Sequence, residues 1–177
     1  FSTIANNDKV GVILFSDKIE KYIPAQKGKT HVLHIIRELL SFEPISKGTD
    51  MAQALQYFSN AQKRRCTAFI ISDFIGDLKM EKPLMVASNR HELNAIQIYD
   101  RRDAEMPNIG LVKFHDAEGE GDLWVDTSMA SVREQYANDW ILAQSRMEQL
   151  LTKTGVKRVS IRTDEDYVKA LMKLFKS

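Results

Sequence analysis

Cys66-Thr67-Ala68-Phe69-Ile70-Ile71-Ser72-Asp73-Phe74 is the stretch on which the fold turns. From Cys66 to Ser72 it is short, rich in aromatic and β-branched residues, and halted by a charge. That pattern predicts a strand inside a sheet, the most buried strand of the chain, with Asp73 at its carboxyl end.

Upstream, Met51, Leu55 and Phe58 share one helical face, and Thr49 or Asp50 is placed to cap the first turn. Lys63, Arg64 and Arg65 close this helix, where cations favour the C-terminal dipole. Val32, Ile35, Ile36, Leu39 and Leu40 mark an earlier helix that must stop before Pro44. Val10 to Phe15 is a continuous apolar run expected to be covered on both faces, and Ile19 to Ile23, ended by Pro24, reads as an edge strand in a hairpin with it.

Downstream, Pro83 marks a short helix over 84–90, and Leu93 to Tyr99 reads as a half-buried strand ending at Asp100. Leu111 to Phe114 and Leu123 to Val125 flank the turn-rich 116–121 and predict an inserted hairpin. Ser131-Val132-Arg133-Glu134 has the form of a capping box and opens the longest helix, which Gly155 ends. Val159 and Ile161 alternate in a last strand. Thr163 to Asp166 then cap a final helix with Val168, Leu171, Met172 and Phe175 expected inward. Strands alternating with helices imply an α/β fold with a mostly parallel, doubly wound sheet in three layers.

The length of 177 residues fits one domain spanning 1–177. Lys and Arg number 25 against 24 Asp and Glu, a net charge of +1, so no global field draws in nucleic acid or an anionic membrane. The short basic clusters Lys63-Arg64-Arg65 and Arg101-Arg102 have no interleaved aromatics, which weighs against a nucleic-acid groove. Cys66, the single cysteine, can form neither an internal disulfide nor a thiolate zinc site, which points to a reducing, cytoplasmic compartment. No apolar stretch approaches the ~18 residues of a membrane span, and no leader pattern is present. The chain opens at Phe1 without an initiator Met and is expected to be a piece of something longer.

In wound sheets, ligands bind beyond the carboxyl ends of the strands. The residues there are Ser16, Asp17, Asp73, Phe74 and Asp100, with the Gly48-Thr49-Asp50 loop nearby. Asp73 and Thr49 offer a carboxylate and a hydroxyl, hard oxygen donors suited to Mg²⁺ or Ca²⁺. The plainer alternative is that Thr49 caps a helix and Asp73 holds a turn. His31, His34, His91 and His115 are scattered, without metal-ligand spacing. The acidic stretch from Asp116 to Asp122 lacks the bidentate Glu of a calcium loop, since Thr127 occupies that position. The signatures of dinucleotide, nucleoside triphosphate, zincin and acyl-transfer chemistry do not occur, which weighs against an enzyme and for no catalytic residue.

Asn7 to Asp17, Gly48-Thr49-Asp50 and Ile71-Ser72-Asp73-Phe74 together resemble the DUF58 family of bacterial proteins, themselves similar to von Willebrand factor A domains. Leu93 to Pro107, Asn108-Ile109-Gly110-Leu111 and Trp124-Val125-Asp126-Thr127-Ser128 extend the likeness over nearly the whole chain. The resemblance implies a metal-ion-dependent adhesion site, in which D-x-S-x-S after the first strand, a Thr and an Asp surround one Mg²⁺ or Mn²⁺. Thr49 matches the Thr and Asp73 the Asp. It also implies association with MoxR-type AAA+ ATPases.

No D-x-S-x-S occurs in the 177 residues. The family order puts it upstream, on the first, central strand of the sheet. The resemblance therefore implies that this piece binds metal weakly or not at all. Its flanking strands, Val10 to Phe15 and Cys66 to Ser72, are expected to pair with each other or to be bridged by another chain, for instance in a homo-oligomer.

Three functions follow as expectations. One is an interaction module that captures a protein partner through a divalent cation. Another is a receiver-like or Rossmann-like enzyme with Asp73 as phosphoacceptor, which would need an acidic cluster and a Lys at later strand ends. The third is a metal-free scaffold using the hairpin around Trp124 and the long helix.

Overall fold

The apolar run Val10–Phe15 forms strand β1, which pairs antiparallel with β2 (Ile19–Gln26) as the hairpin reading expects. The ladder slips between Val10 and Val12. Gly11 sits at that slip, where a Cβ would come within 2.8 Å of both the Ile23 carbonyl and the Ala25 nitrogen, so a side chain would force the strands apart. The computed structural model describes residues 6–46, 48–76, 79–115 and 121–176, without the side chains of residues 115, 173, 175 and 176. They fall in two compact units, Phe1–Gln62 and Lys63–Ser177.

In the first unit, α1 (Lys29–Leu40) buries Ile35, and Ser41 closes it by directing its N–H and its hydroxyl to the Arg37 carbonyl. Helix α2 (Met51–Ala61) buries Ala54, Leu55 and Ser59. Of the two caps considered for it, Asp50 is the one used: its Oδ1 accepts the Gln53 N–H at 2.8 Å. Lys63, Arg64 and Arg65 lie beyond the helix end rather than within it. Tyr57 of α2 meets Tyr22 of β2 edge to face at 5.6 Å.

The second unit is built on a parallel sheet of β3 (Thr67–Ser72), β4 (Glu92–Tyr99) and β7 (Lys157–Arg162) in the order β3-β4-β7. Strand β4 is central and buries five residues in succession, Leu93 to Gln97. Strand β3 buries none. The expected ranking is thus inverted, because among the described residues β3 is paired on one side only. Among the described residues β1 pairs with β2 and β3 with β4, and no ladder joins β1 to β3, so of the two arrangements expected for these strands the direct pairing is not seen.

Helices cover the central strand. Leu84 and Ala87 of α3 (Glu81–Arg90) are fully buried, as are Met147 and Leu151 of α5 (Ala130–Lys153). Helix α6 (Tyr167–Lys176) seats Leu174 against Ile96 and Ile161, with Ala170 and Leu171 alongside. Val168 and Met172, expected inward, are about half exposed at 47% and 51%. The Phe175 side chain lies outside the described residues.

Helix α5 starts at Ala130 without a side-chain cap, which places Ser131 inside the first turn and removes the capping box expected there. Arg133 fastens that end instead, donating to the carbonyls of Thr127 and Ser128 at 2.6 and 2.8 Å. A capping box does occur at the one-turn helix α4 (Arg101–Ala104), between Asp100 and Asp103. Gly155 ends α5 at φ 69° in a Schellman arrangement, with Val156 N–H on the Leu151 carbonyl and Gly155 N–H on that of Thr152.

Strands β5 (Leu111–His115) and β6 (Asp122–Asp126) form the inserted hairpin. Its base is clasped by buried Thr127, whose hydroxyl donates to the Gly110 carbonyl at 2.7 Å and accepts the Ile109 N–H at 3.0 Å.

Candidate functional site

The strand-end residues divide between the two units. Ser16, Asp17, Thr49 and Asp50 lie in the first, and Asp73, Phe74 and Asp100 in the second.

In the first unit the turn after β1 is knitted to the loop before α2. The Asp50 N–H donates to the Ser16 carbonyl at 2.8 Å, and Gly48 lies so close to Asp17 that an added Cβ would stand 3.4 Å from the Asp17 Cβ. Glu20, not singled out by sequence, organises this region. Its Oε1 accepts the Ser16 hydroxyl at 2.7 Å and the Ile45 and Ser46 N–H groups at 3.2 Å each. The Ser16 hydroxyl bond, more than any other, holds the Glu20 carboxyl below its ordinary range. No local pattern marks it in the sequence, since the N–H groups it meets lie 25 and 26 residues away. Thr49 is exposed, and its hydroxyl makes no hydrogen bond to a described residue. The capping alternative for Thr49 falls to Asp50, leaving that hydroxyl available.

In the second unit Asp73 directly follows β3. Its Oδ1 accepts the Ile75 N–H at 3.1 Å, the turn-holding bond considered from sequence, while the Ser72 hydroxyl accepts the Phe74 N–H at 3.1 Å. Phe74 adopts φ 55°, a left-handed conformation that is unfavourable for an aromatic residue, and keeps its ring buried at 6% exposure. Behind the turn, fully buried Gln97 of β4 donates from Nε2 to the Asp73 carbonyl at 3.0 Å. Asp73 itself stays exposed.

Asp100, the equivalent residue of β4, has structural work. It accepts the Arg102 N–H at 2.9 Å and the Thr163 hydroxyl at 3.0 Å, and these bonds, Arg102 first, lower its pKa. Beside the Asp73 turn, Phe74, Ile75, Tyr136, Trp140, Ala143 and Leu150 line a groove of about 670 Å³. Trp140 is held against Tyr99 at 5.4 Å, and the Tyr136 hydroxyl donates to the Arg102 carbonyl at 2.9 Å.

Among the described residues no three His, Cys, Asp or Glu side chains gather where they could hold a metal ion. His31 bonds the Val10 carbonyl at 2.8 Å, and His34 faces Glu38 at 3.7 Å. Buried His91 meets the Cys66 thiol at 3.6 Å. Burial raises that thiol and lowers that imidazole, and both shifts favour the uncharged form. The side chain of His115 and the acidic residues 116–120 lie outside the described residues. Among the described residues no helix is long and apolar enough to cross a membrane.

Residues 1–146 match the family model described as a protein of unknown function, DUF58. The chain belongs to the DUF58 family. An uncharacterized protein of Mycobacterium avium is 30% identical over 157 residues, covering 88% of this DUF58 chain and 92% of that protein. An uncharacterized protein of Mycobacterium bovis is 26% identical over 179 residues, covering 100% of this chain and 56% of its relative, so the DUF58 chain spans little more than half of that protein.

Two solved structures share its fold. One is the conserved hypothetical protein BatB from Bacteroides thetaiotaomicron, with a TM-score of 0.52 at 18% identity, covering 97% of this chain and 81% of that one. The other is an aerotolerance-related membrane protein from Bacteroides fragilis, with a TM-score of 0.56 at 17% identity and the same coverage.

Proposed function

We propose that this chain is a von Willebrand A-like interaction module without catalytic activity, which captures an acidic group of a protein partner through a divalent cation. The family resemblance implies that Thr49 and Asp73 each give one oxygen to Mg²⁺ or Mn²⁺, and each residue is supported by what its own unit shows. The observation that carries the reading is Asp73: an exposed carboxylate at the carboxyl end of a parallel strand, on a turn braced by Ser72, Phe74 and Gln97. The Thr49 hydroxyl, which bonds no described residue, is the second support.

The donor set is chemically apt. Mg²⁺ takes six oxygens in near-octahedral array, and a site with one carboxylate, hydroxyls and water leaves the cation short of negative charge. A carboxylate from a partner completes it. The remaining hydroxyl donors would come from a D-x-S-x-S segment, which the 177 residues do not contain. A MoxR-type AAA+ ATPase is the partner class that the family resemblance implies.

Calorimetric titration with Mn²⁺ tests the reading, using this chain beside a form extended upstream through the first strand. The extended form is expected to bind and the shorter form to bind weakly or not at all. Asp73→Ala and Thr49→Ala in the extended form should each weaken binding by roughly 10- to 100-fold, the scale on which even outer-shell supports act. Silence from both forms overturns the cation reading. It would favour a metal-free scaffold, for which exposed Leu111, Phe114, Leu123 and Trp124 on the β5–β6 hairpin offer a contact surface.

A further inference from the structure

We infer that Gln97 is a positioning residue for the Asp73 turn, with Arg158 fixing the orientation of its amide. The inference rests on the cation reading only for the consequence it assigns to Asp73, and the geometry stands by itself.

Gln97 is fully buried in the middle of β4. Its Oε1 accepts from Arg158 Nη2 at 2.7 Å and from the Ser160 hydroxyl at 2.9 Å, both residues of β7. A guanidinium has only donors, so the amide oxygen must face Arg158. The amide nitrogen therefore faces the other way, where it donates to the Asp73 carbonyl at 3.0 Å. Arg158 is held in turn by Gln144 of α5.

This chain of bonds does something the strand ladder cannot. The parallel register of β3 and β4 ends at the Ser72–Gln97 pair, and two residues later the backbone of Phe74 turns left-handed. The Asp73 carbonyl is thus beyond the ladder, and a side chain from the neighbouring strand takes it up. With its carbonyl held from behind, the Ser72 hydroxyl on the Phe74 N–H, and the Phe74 ring buried, the carboxylate is left with little freedom in where it points. A ligand on a turn needs that kind of support.

Gln97→Glu separates positioning from packing. It keeps the size of the side chain and gives Arg158, which bonds no carboxylate among the described residues, a charged partner. It also sets an oxygen against the Asp73 carbonyl, replacing attraction by repulsion. Amide hydrogen exchange on this chain is expected to quicken at Phe74 and Ile75 by about tenfold or more, while Ile96 and Ile161 keep their rates. Gln97→Met, neutral and of similar length, should also quicken Phe74 and Ile75.

Unchanged exchange at those two amides in both variants overturns the inference. So does a uniform acceleration across the sheet in both, which would make Gln97 a packing residue. In the upstream-extended form, Mn²⁺ affinity should fall with Gln97→Glu. Faster exchange with unaltered Mn²⁺ affinity would sink the role of Asp73 as a ligand and uphold the positioning.

Discussion

Strands β3 and β4 lie side by side, run parallel and are similarly rich in apolar residues, yet β4 buries five residues in a row and β3 buries none. Ile96 is 9% exposed, and its register partner Ile71 is 58% exposed. The difference is one of neighbours. Strand β4 has a strand on each side and helices against it, whereas among the described residues β3 has a ladder on one edge only. A run of β-branched residues encodes the capacity to be buried, and the surroundings decide whether it is used.

Truncation at matched positions tests this most strongly. Ile96→Ala empties a place in the cluster with Ile161 and Leu174 and should cost about 2–5 kcal/mol in urea unfolding. Enlargement should follow the same divide: Ala95→Leu, at a site with 0% exposure, is expected to cost about 1–3 kcal/mol, and Ala68→Leu on β3 clearly less.

The two strands begin at a shared contact, Cys66 with His91. Burial, followed by the charges of Arg90 and Arg65, lowers His91 from its ordinary 6.5. The unfolded chain therefore takes up the proton first. Stability from this group is complete above about pH 6.5 and declines as the pH falls below it toward the folded value. His91→Gln should show a shallower loss than the parent between about pH 7.5 and about pH 5.5. An equal loss in both would remove the imidazole from the account.

The smallest effect belongs to Ile71→Ala, expected within about 0.5 kcal/mol. A loss as large as that of Ile96→Ala would show β3 to be covered in solution, and the contrast would fail.

What could be read from sequence follows how local each cause is. Apolar spacing located β1, β2, both first-unit helices and the hairpin because periodicity is a property of a few consecutive residues. Burial was misjudged for β3 and β4, since it depends on partners distant in the chain. Ser131 was mistaken for a cap because Ser-x-x-Glu also fits inside a first turn, whereas Asp100 and Asp103 form the real box with a less familiar residue pair. Val168 and Met172 were placed on the wrong face of α6 by a stripe that Ala170, Leu171 and Leu174 in fact occupy.

For the site, Asp73 was visible as a charge ending an apolar run. Gln97, Arg158 and Glu20 were not, because a polar side chain within a strand carries no local mark of the carbonyl or N–H it will meet. The family itself was legible, in segments that the match over residues 1–146 covers.

Phe74 carries a last consequence. Its left-handed dihedral costs energy, and burial of its ring offsets part of that cost. A side chain too small to fill that seat would keep the cost of the turn and lose what offsets it, so the ring serves as ballast for the neighbouring carboxylate.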